Sequence, residues 1–378
     1  MVSTESPPPA FPPVSPPVSF PVCLMLWPLG VLYGGLVRLR NALYSFGLLP
    51  VERLGVPVIS VGNLTAGGTG KTPVVRHLAR TVEAFGIKSA VISRGYRRRG
   101  ADRVSRALER EGALADPARL GDEPAMLAKG DPNLPVYVSS RRAEAGRLAL
   151  LWDRPGLLLL DDGFQHRALA RDLNLLLVDG SREFGGGRLL PCGWLREPLG
   201  ALVRADAIVC TKSGPDTAKR VKAVLAGLGL ERPVFTFGWQ ALQLRRLDGK
   251  ETRPPESLAG RQVNLVCALA QPQGVARTVE GLGARVARLE AFPDHDPYGP
   301  GAVSQLNGWL QEPPGEETGP LWLTTEKDGV KLAGRLKTPE RLWVLDMAVT
   351  TGADWETFFQ AWLKRLPPKP AESHNNDL

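Results

Sequence analysis

The densest chemistry in the chain lies in Val56 to Thr72, VPVISVGNLTAGGTGKT, where a short apolar run enters a glycine-rich loop ending in Gly-Lys-Thr. Phosphate oxygens are held by successive backbone N–H groups, and a glycine-rich backbone curls tightly enough to aim them inward. Gly67, Gly68 and Gly70 supply that freedom, with Thr65, Ala66 and Thr69 completing the loop. Lys71 is spaced to reach the β- and γ-phosphates, and the Thr72 hydroxyl to ligate Mg²⁺. The strict form of the motif has glycine where Thr65 stands. A glycine-rich turn that binds nothing is the plain alternative, but strand, loop and helix follow in the right order. The segment predicts a nucleoside triphosphate site.

A second cluster follows an apolar run, Gly156 to Leu160, that ends in Asp161-Asp162. Acidic residues closing a buried strand downstream of such a loop are suited to holding Mg²⁺ or its water. Arg94, Arg97, Arg98, Arg99, Arg103 and Arg106 follow another strand pattern, either as a solvated face or as an anion-contacting loop. Thr211-Lys212 occupies the place of a guanine-reading sequence, but Gly214 stands where its aspartate belongs, so guanine specificity is unsupported.

Transfer of a phosphoryl group to an alcohol also needs an orienting base. The candidates are Asp122, Asp161, Asp162, Glu197 and the four histidines. His77 sits on the helix after the loop and reads as structural, and His374 is in the tail. His166 follows the acidic strand, where it either lines the site or fixes a turn. His295 is flanked by Asp294 and Asp296; a neighbouring carboxylate orients an imidazole, yet a lone pair of this kind is more often a loop feature than a catalytic one.

Elements must position these groups. Val58, Ile59 and Val61 suit a buried strand. Val74, Val75, Leu78, Ala79, Val82 and Phe85 recur at the helical period, with Pro73 in the tolerant first turn. Strand patterns at 89–93, 135–139, 156–160, 173–178 and 207–210 alternate with helical ones. This alternation predicts an α/β fold, a P-loop core with a mostly parallel sheet covered on both faces. Residues 238–258 break the alternation as a connector, and a smaller C-terminal α/β domain spans 259–366. The P-loop domain is expected over 51–237, a proline-rich disordered arm over 1–21, an apolar segment over 22–50 and a loose tail over 367–378.

The 378 residues allow two domains, and 43% hydrophobic with 23% charged residues is ordinary for a globular protein. A net charge of +8 implies an anionic partner: nucleic acid, anionic lipid or a phosphorylated substrate. The four cysteines form no Cys-x-x-Cys pair and read as reduced thiols of a cytosolic protein. Eight prolines precede Val22, and no charged residue occurs from Ser6 to Val37. Val22 to Val37 is short for a transmembrane helix of about 20 residues. It ends in Arg38 and Arg40, and Val22 to Leu49 as a whole is expected to be an apolar-faced helix lying in a membrane interface with its arginines toward headgroups. Packing on the core is the alternative.

Seven motifs then occur together. They are GNLTAGGTGKTP (Gly62 to Pro73), SRGY (Ser93 to Tyr96), GDEP (Gly121 to Pro124), DDGFQHR (Asp161 to Arg167), RLLPCGWLREPL (Arg188 to Leu199), FPDHDPY (Phe292 to Tyr298) and TTEKD (Thr324 to Asp328). In this order the chain resembles the tetraacyldisaccharide 4′-kinases of lipid A biosynthesis, in the P-loop superfamily, over roughly Leu29 to Leu366. Thr65 is itself a feature of that family; the long proline-rich start and Asp296 depart from it. The resemblance implies transfer of the ATP γ-phosphate to the 4′-hydroxyl of a tetraacylated glucosamine disaccharide 1-phosphate, giving lipid IVA. It implies ATP and Mg²⁺ as cofactors and a place at the cytoplasmic face of the bacterial inner membrane. Neither nucleic acid nor an obligate protein partner is expected. By the same resemblance Asp122 and His295 form the catalytic pair with Lys71, and Asp122 takes the hydroxyl proton. Asp161, Asp162 and Glu197 join Thr72 around the metal, and Arg94, Arg142, Arg196 and Asp294 contact the substrate. The rivals are a P-loop kinase for another acceptor, which would leave the apolar N-terminus unused, and a membrane-associated nucleotide switch or motor that hydrolyses ATP to move a partner.

Overall fold

The computed structural model describes residues 17–95, 104–107, 120–311 and 319–366. It divides into two compact units whose segments interleave. The first combines Met1–Arg94, Arg141–Gly238 and Thr351–Leu378, and the second combines Gly95–Ser140 with Trp239–Thr350. This differs from the sequential domains expected above in two places. Residues 95–140 join the second unit, and the C-terminal helix Ala353–Leu363 returns to the first. The reason for the return is aromatic burial: Trp355 and Phe359 are fully buried, and Trp355 meets Phe237 edge-on at 4.9 Å and Phe235 at 5.2 Å. Such pairs add about 0.5–1.5 kcal/mol each beyond the area they bury. The connector expected at 238–258 carries regular structure, since strand Val234–Arg246 runs into it and pairs antiparallel with Thr252–Arg253.

The sheet of the first unit is parallel. In spatial order its strands are Val234–Arg246, Ala207–Thr211, Leu173–Asp179, Val58–Asn63, Leu157–Asp161 and Ser89–Ser93. The inner strands are near-continuous Val, Ile and Leu runs buried on both faces, as a helix-covered parallel sheet requires. Because the strands run the same way, Asn63, Ser93, Asp161, Asp179 and Thr211 all finish at one edge, where α/β proteins place their ligands. In the second unit four strands run parallel in the order Arg285–Ala291, Gln262–Cys267, Leu321–Thr325 and Leu342–Thr350, the last adjoining Val234–Arg246.

Helix Phe20–Ser45 has 26 residues, starting two residues before and ending four before the helical segment expected over Val22 to Leu49. By length and composition it suffices to cross a membrane. Its polar side is fastened to the first unit. The Tyr33 hydroxyl donates to the Arg196 carbonyl (2.7 Å), Asn41 donates to Glu197 (2.7 Å), and Arg167 donates to the Asn41 carbonyl (2.7 Å). Leu24, Met25, Trp27, Leu32, Leu36 and Leu39 project into solvent, each more than half exposed. The cysteine expectation is corrected here. Docking of this helix brings Cys23 to Cys192, 169 residues away, as a disulfide with Cα atoms 5.1 Å apart. Cys210 and Cys267 are buried free thiols.

Candidate functional site

The glycine loop takes the backbone that its sequence requires. Gly67 (φ +116°) and Gly70 (φ +78°) lie in the left-handed region, and Gly70 precedes helix Lys71–Ala84 directly. Helix N-terminal N–H groups and the partial positive charge of the helix dipole make that end an anion site. Lys71 is 7% exposed; its Nζ lies 3.4 Å from Asn63 Oδ1 and 3.5 Å from Asp162 Oδ1. The loop is braced from behind by two groups that the sequence reading considered only for guanine recognition. Thr211 Oγ1 donates to the Thr69 carbonyl (2.9 Å), and Lys212 Nζ donates to the Gly68 carbonyl (2.8 Å) and to Asp179 (2.9 Å).

Register carries the acidic pair to the same place, since Val61 is the sheet partner of Asp161. Asp161 is fully buried and accepts from Ser93 Oγ at 3.1 Å. Asp162 turns out of the strand at φ +50°, a left-handed conformation uncommon outside glycine. Arg196 Nη1 donates to both of its oxygens, at 3.1 and 3.0 Å. Burial pushes the Asp162 carboxyl upward, but Lys71 and Arg196 outweigh it and hold the group below the usual carboxylate range.

Arg142 is buried beside this pair. Its pKa falls to about 10, through burial first and then the Arg94 charge, with Asp162 and Asp161 opposing. His166 is pushed down to about 4 by burial and by the charges of Arg142, Arg171, Arg40 and Arg94, so it stays neutral at neutral pH. His77 packs edge-on against Phe237, in line with a structural role. Arg94 is exposed at the end of its strand and Arg106 lies in a two-residue strand; Arg97, Arg98, Arg99, Arg103 and His374 lie outside the described residues.

Glu197 is tied through one oxygen only, its Oε1 having no hydrogen-bond partner among the described residues. It is 1% exposed, and its Oε2 accepts from Arg204 Nη2 (2.7 Å) and Asn41 Nδ2 (2.7 Å). Among the described residues no three His, Cys, Asp or Glu side chains converge as a metal-binding group. Arg204 and Asn41 lie outside every motif, so the sequence carried no signal that Glu197 is committed to them.

The second unit holds the other expected pair. Gly121 (φ +92°) opens helix Asp122–Gly130 and sets Asp122 in its first turn. His295 sits in its loop at φ +62°, with Nδ1 3.4 Å from Asp122 Oδ2. Strained conformations of this kind collect at functional sites. Two lysines that the sequence reading passed over complete the cluster: Lys331 Nζ is 3.3 Å from Asp122 Oδ2, and Lys327 Nζ is 3.1 Å from His295 Nε2. Burial raises the Asp122 carboxyl, while the His295 hydrogen bond and Lys331 together bring it below the usual range. Asp294 is 3.5 Å from Lys327. Lys327 is the lysine of the TTEKD motif itself and Lys331 follows it one helical turn later, which was the available signal.

Comparison with known proteins gives one answer. The family model for tetraacyldisaccharide-1-P 4′-kinase matches residues 22–366. A tetraacyldisaccharide 4′-kinase of Anaeromyxobacter dehalogenans (strain 2CP-1) is 40% identical over 331 residues, 84% of each chain. That of Geobacter sulfurreducens is 39% identical over 305 residues, covering 81% of this chain and 83% of the relative. The crystal structure of LpxK from Aquifex aeolicus in complex with ATP superposes with a TM-score of 0.72 at 33% identity, covering 90% of this chain and 98% of that one. With the family model matching residues 22–366 and relatives about 40% identical over most of both chains, the chain belongs to the tetraacyldisaccharide-1-P 4′-kinase family.

Proposed function

We propose that the chain transfers the γ-phosphate of ATP to the 4′-hydroxyl of a tetraacyldisaccharide 1-phosphate, giving lipid IVA. The observation that carries this reading is Asp122, an ionised carboxylate against the His295 imidazole, in a chain that also holds Lys71 at the mouth of a P-loop. A hydrolase or switch needs the loop; a phosphotransferase to an alcohol needs a base for the hydroxyl proton as well.

Asp122 takes that proton as the hydroxyl oxygen attacks phosphorus, and His295 orients the carboxylate. Lys71 and the loop N–H groups carry the charge of the phosphates. Arg94, Arg142 and Arg196 supply positive charge toward the anionic substrates, and Asp294, beside Lys327 in the second unit, is a further substrate contact. The donor set also fits Mg²⁺. The Thr72 hydroxyl and the Asp161 carboxylate are the hard oxygens that this ion takes alongside phosphate oxygens and water. Bound there, Mg²⁺ would neutralise charge between the β- and γ-phosphates. Asp162, already held by Lys71 and Arg196, orients the lysine. Glu197 ties the N-terminal helix to the site.

The acceptor is a lipid, and the N-terminal helix suits one. Its exposed Leu, Met and Trp side chains favour the membrane interface, at the cytoplasmic face of the inner membrane. A cavity of about 700 Å³ lies beside it, lined by Cys23, Trp27, Val31, Leu189, Cys192 and Leu199, and takes acyl chain. The surplus of eight positive charges suits a phosphorylated lipid in an anionic bilayer. The test is an assay of full-length protein in detergent with γ-labelled ATP and the disaccharide 1-phosphate. Label is expected in the lipid fraction; release of free phosphate alone would instead support a nucleotide switch.

A further inference from the structure

Helix Glu326–Leu332 belongs to the second unit and starts from a capped end, the Thr325 side chain accepting from the Asp328 N–H. Lys327 and Lys331 stand four residues apart, hence on one face of that helix. Each meets one member of the Asp122–His295 pair. Lys327 Nζ lies 3.1 Å from His295 Nε2, and Lys331 Nζ lies 3.3 Å from Asp122 Oδ2. An ammonium group has donors and no acceptor. A ring nitrogen hydrogen-bonded to Lys327 must therefore be the unprotonated one, which leaves the imidazole proton on Nδ1, facing Asp122 Oδ2 at 3.4 Å.

The neighbours of Lys331 explain how it can serve a group whose charge changes. Its Nζ also lies 3.6 Å from Asp328 Oδ1 and donates to the Asp296 carbonyl at 3.0 Å. Asp328 is fully buried and fixed by the Ala268 N–H (3.1 Å) and Thr325 Oγ1 (2.7 Å). Lys331, itself 4% exposed on its side chain, thus keeps a second carboxyl group beside it when Asp122 is neutralised by a proton. A buried ammonium without that second carboxylate would resist the proton transfer, because its charge would be left unpaired.

We propose that Lys327 and Lys331 are positioning residues for the Asp122–His295 pair, Lys327 confining the His295 proton to Nδ1 and Lys331 holding Asp122 Oδ2 against it. This inference rests on the reading of Asp122 as the base. Among the described residues, the charged or titratable groups facing Asp122 are His295 and Lys331. Asp294 and Lys327 reach it through His295, and Asp328 through Lys331.

The test uses full-length protein in detergent with ¹⁵N-labelled histidine; with only four histidines, His295 is assigned from an H295N control. The wild type should show protonated Nδ1 and unprotonated Nε2, and Lys327→Met should lose that preference. An unchanged ring spectrum in the variant overturns the role of Lys327. Lys331→Met should lower kcat by about 10- to 100-fold, as loss of alignment does, with little change in KM for ATP. Removing the cation makes Asp122 easier to protonate, so the acid limb of kcat should move to higher pH, and Lys331→Arg should restore most of both. An unmoved limb in protein that is folded by thermal melt overturns the role of Lys331; if Lys331→Met does not fold, a Lys331→Arg limb displaced as far as that of an uncharged residue does the same. The ring spectrum is independent of turnover. Undiminished kcat in Asp122→Asn would therefore remove the base reading without deciding the tautomer.

Discussion

Asp162 in the first unit and Asp122 in the second are both carboxylates with two basic partners, and the partners differ in kind. Asp162 is held by Lys71 and a two-oxygen contact from Arg196. Both partners are permanent cations, so the carboxylate is locked in its charged form and serves as an anchor. Asp122 has one cation, Lys331, and one imidazole. An imidazole can itself gain or lose a proton near neutral pH, which an ammonium or guanidinium cannot, and that suits a carboxylate that accepts a proton and returns it. The comparison teaches that the protonation chemistry of a carboxylate is chosen by the type of its partners more than by their number. Two guanidinium or ammonium groups make a strut, and an imidazole in place of one makes a base.

The largest expected effect breaks the anchor side. Lys71→Ala should lower kcat/KM by about 10³-fold, the scale for removing a preorganised charge contact to the transition state. A loss under tenfold in a steady-state assay would show that Lys71 does not meet the transferred phosphate. Next, Asp122→Asn should lower kcat by about 10²- to 10³-fold while leaving nucleotide binding measured by titration almost unchanged. Asp162→Asn should instead weaken both together; matching profiles for the two variants would erase the distinction drawn here.

The pH dependence sharpens the same contrast. The folded pKa of Asp122 lies below its unfolded value, so its contribution to stability is present above the unfolded value and is lost as pH falls through the folded one. His166 follows the same sign with a wider window. Its folded pKa of about 4 lies below the ordinary histidine value near 6.5, so the unfolded chain takes the proton first. Melting temperature should fall as pH drops from about 6.5 toward 4, and His166→Gln should flatten that slope. An equal slope in the variant would assign the acid sensitivity to other groups. The smallest effect concerns the tether between helix and site. Asn41→Ala removes one hydrogen bond to Glu197 and should cost about 1–2 kcal/mol of stability in a denaturant titration, because the acceptor is a buried charge. No change would mean that Arg204 alone satisfies Glu197.

Much of this was written in the chain. The P-loop, its following helix, the alternation of buried strands and the acidic strand end follow from local rules of period, glycine freedom and β-branching, which act within a few residues. Those rules placed Lys71, Thr72, Asp161 and Asp162 at one edge of a parallel sheet, and the structure keeps them there. The family motifs supplied the pairing of Asp122 with His295, 173 residues apart, which no local rule contains. Tertiary structure alone decided the rest. Glu197 became an anchor because Arg204 and Asn41 fold onto it; Cys23 met Cys192 because a helix docked; and the C-terminal helix returned to the first unit because Trp355 and Phe359 had apolar area to bury. In the second unit, two lysines one helical turn apart became partners of the Asp–His pair only once their helix was packed beside it. Periodicity reveals which face a residue takes, whereas the group that waits opposite that face is set by the packing of distant elements.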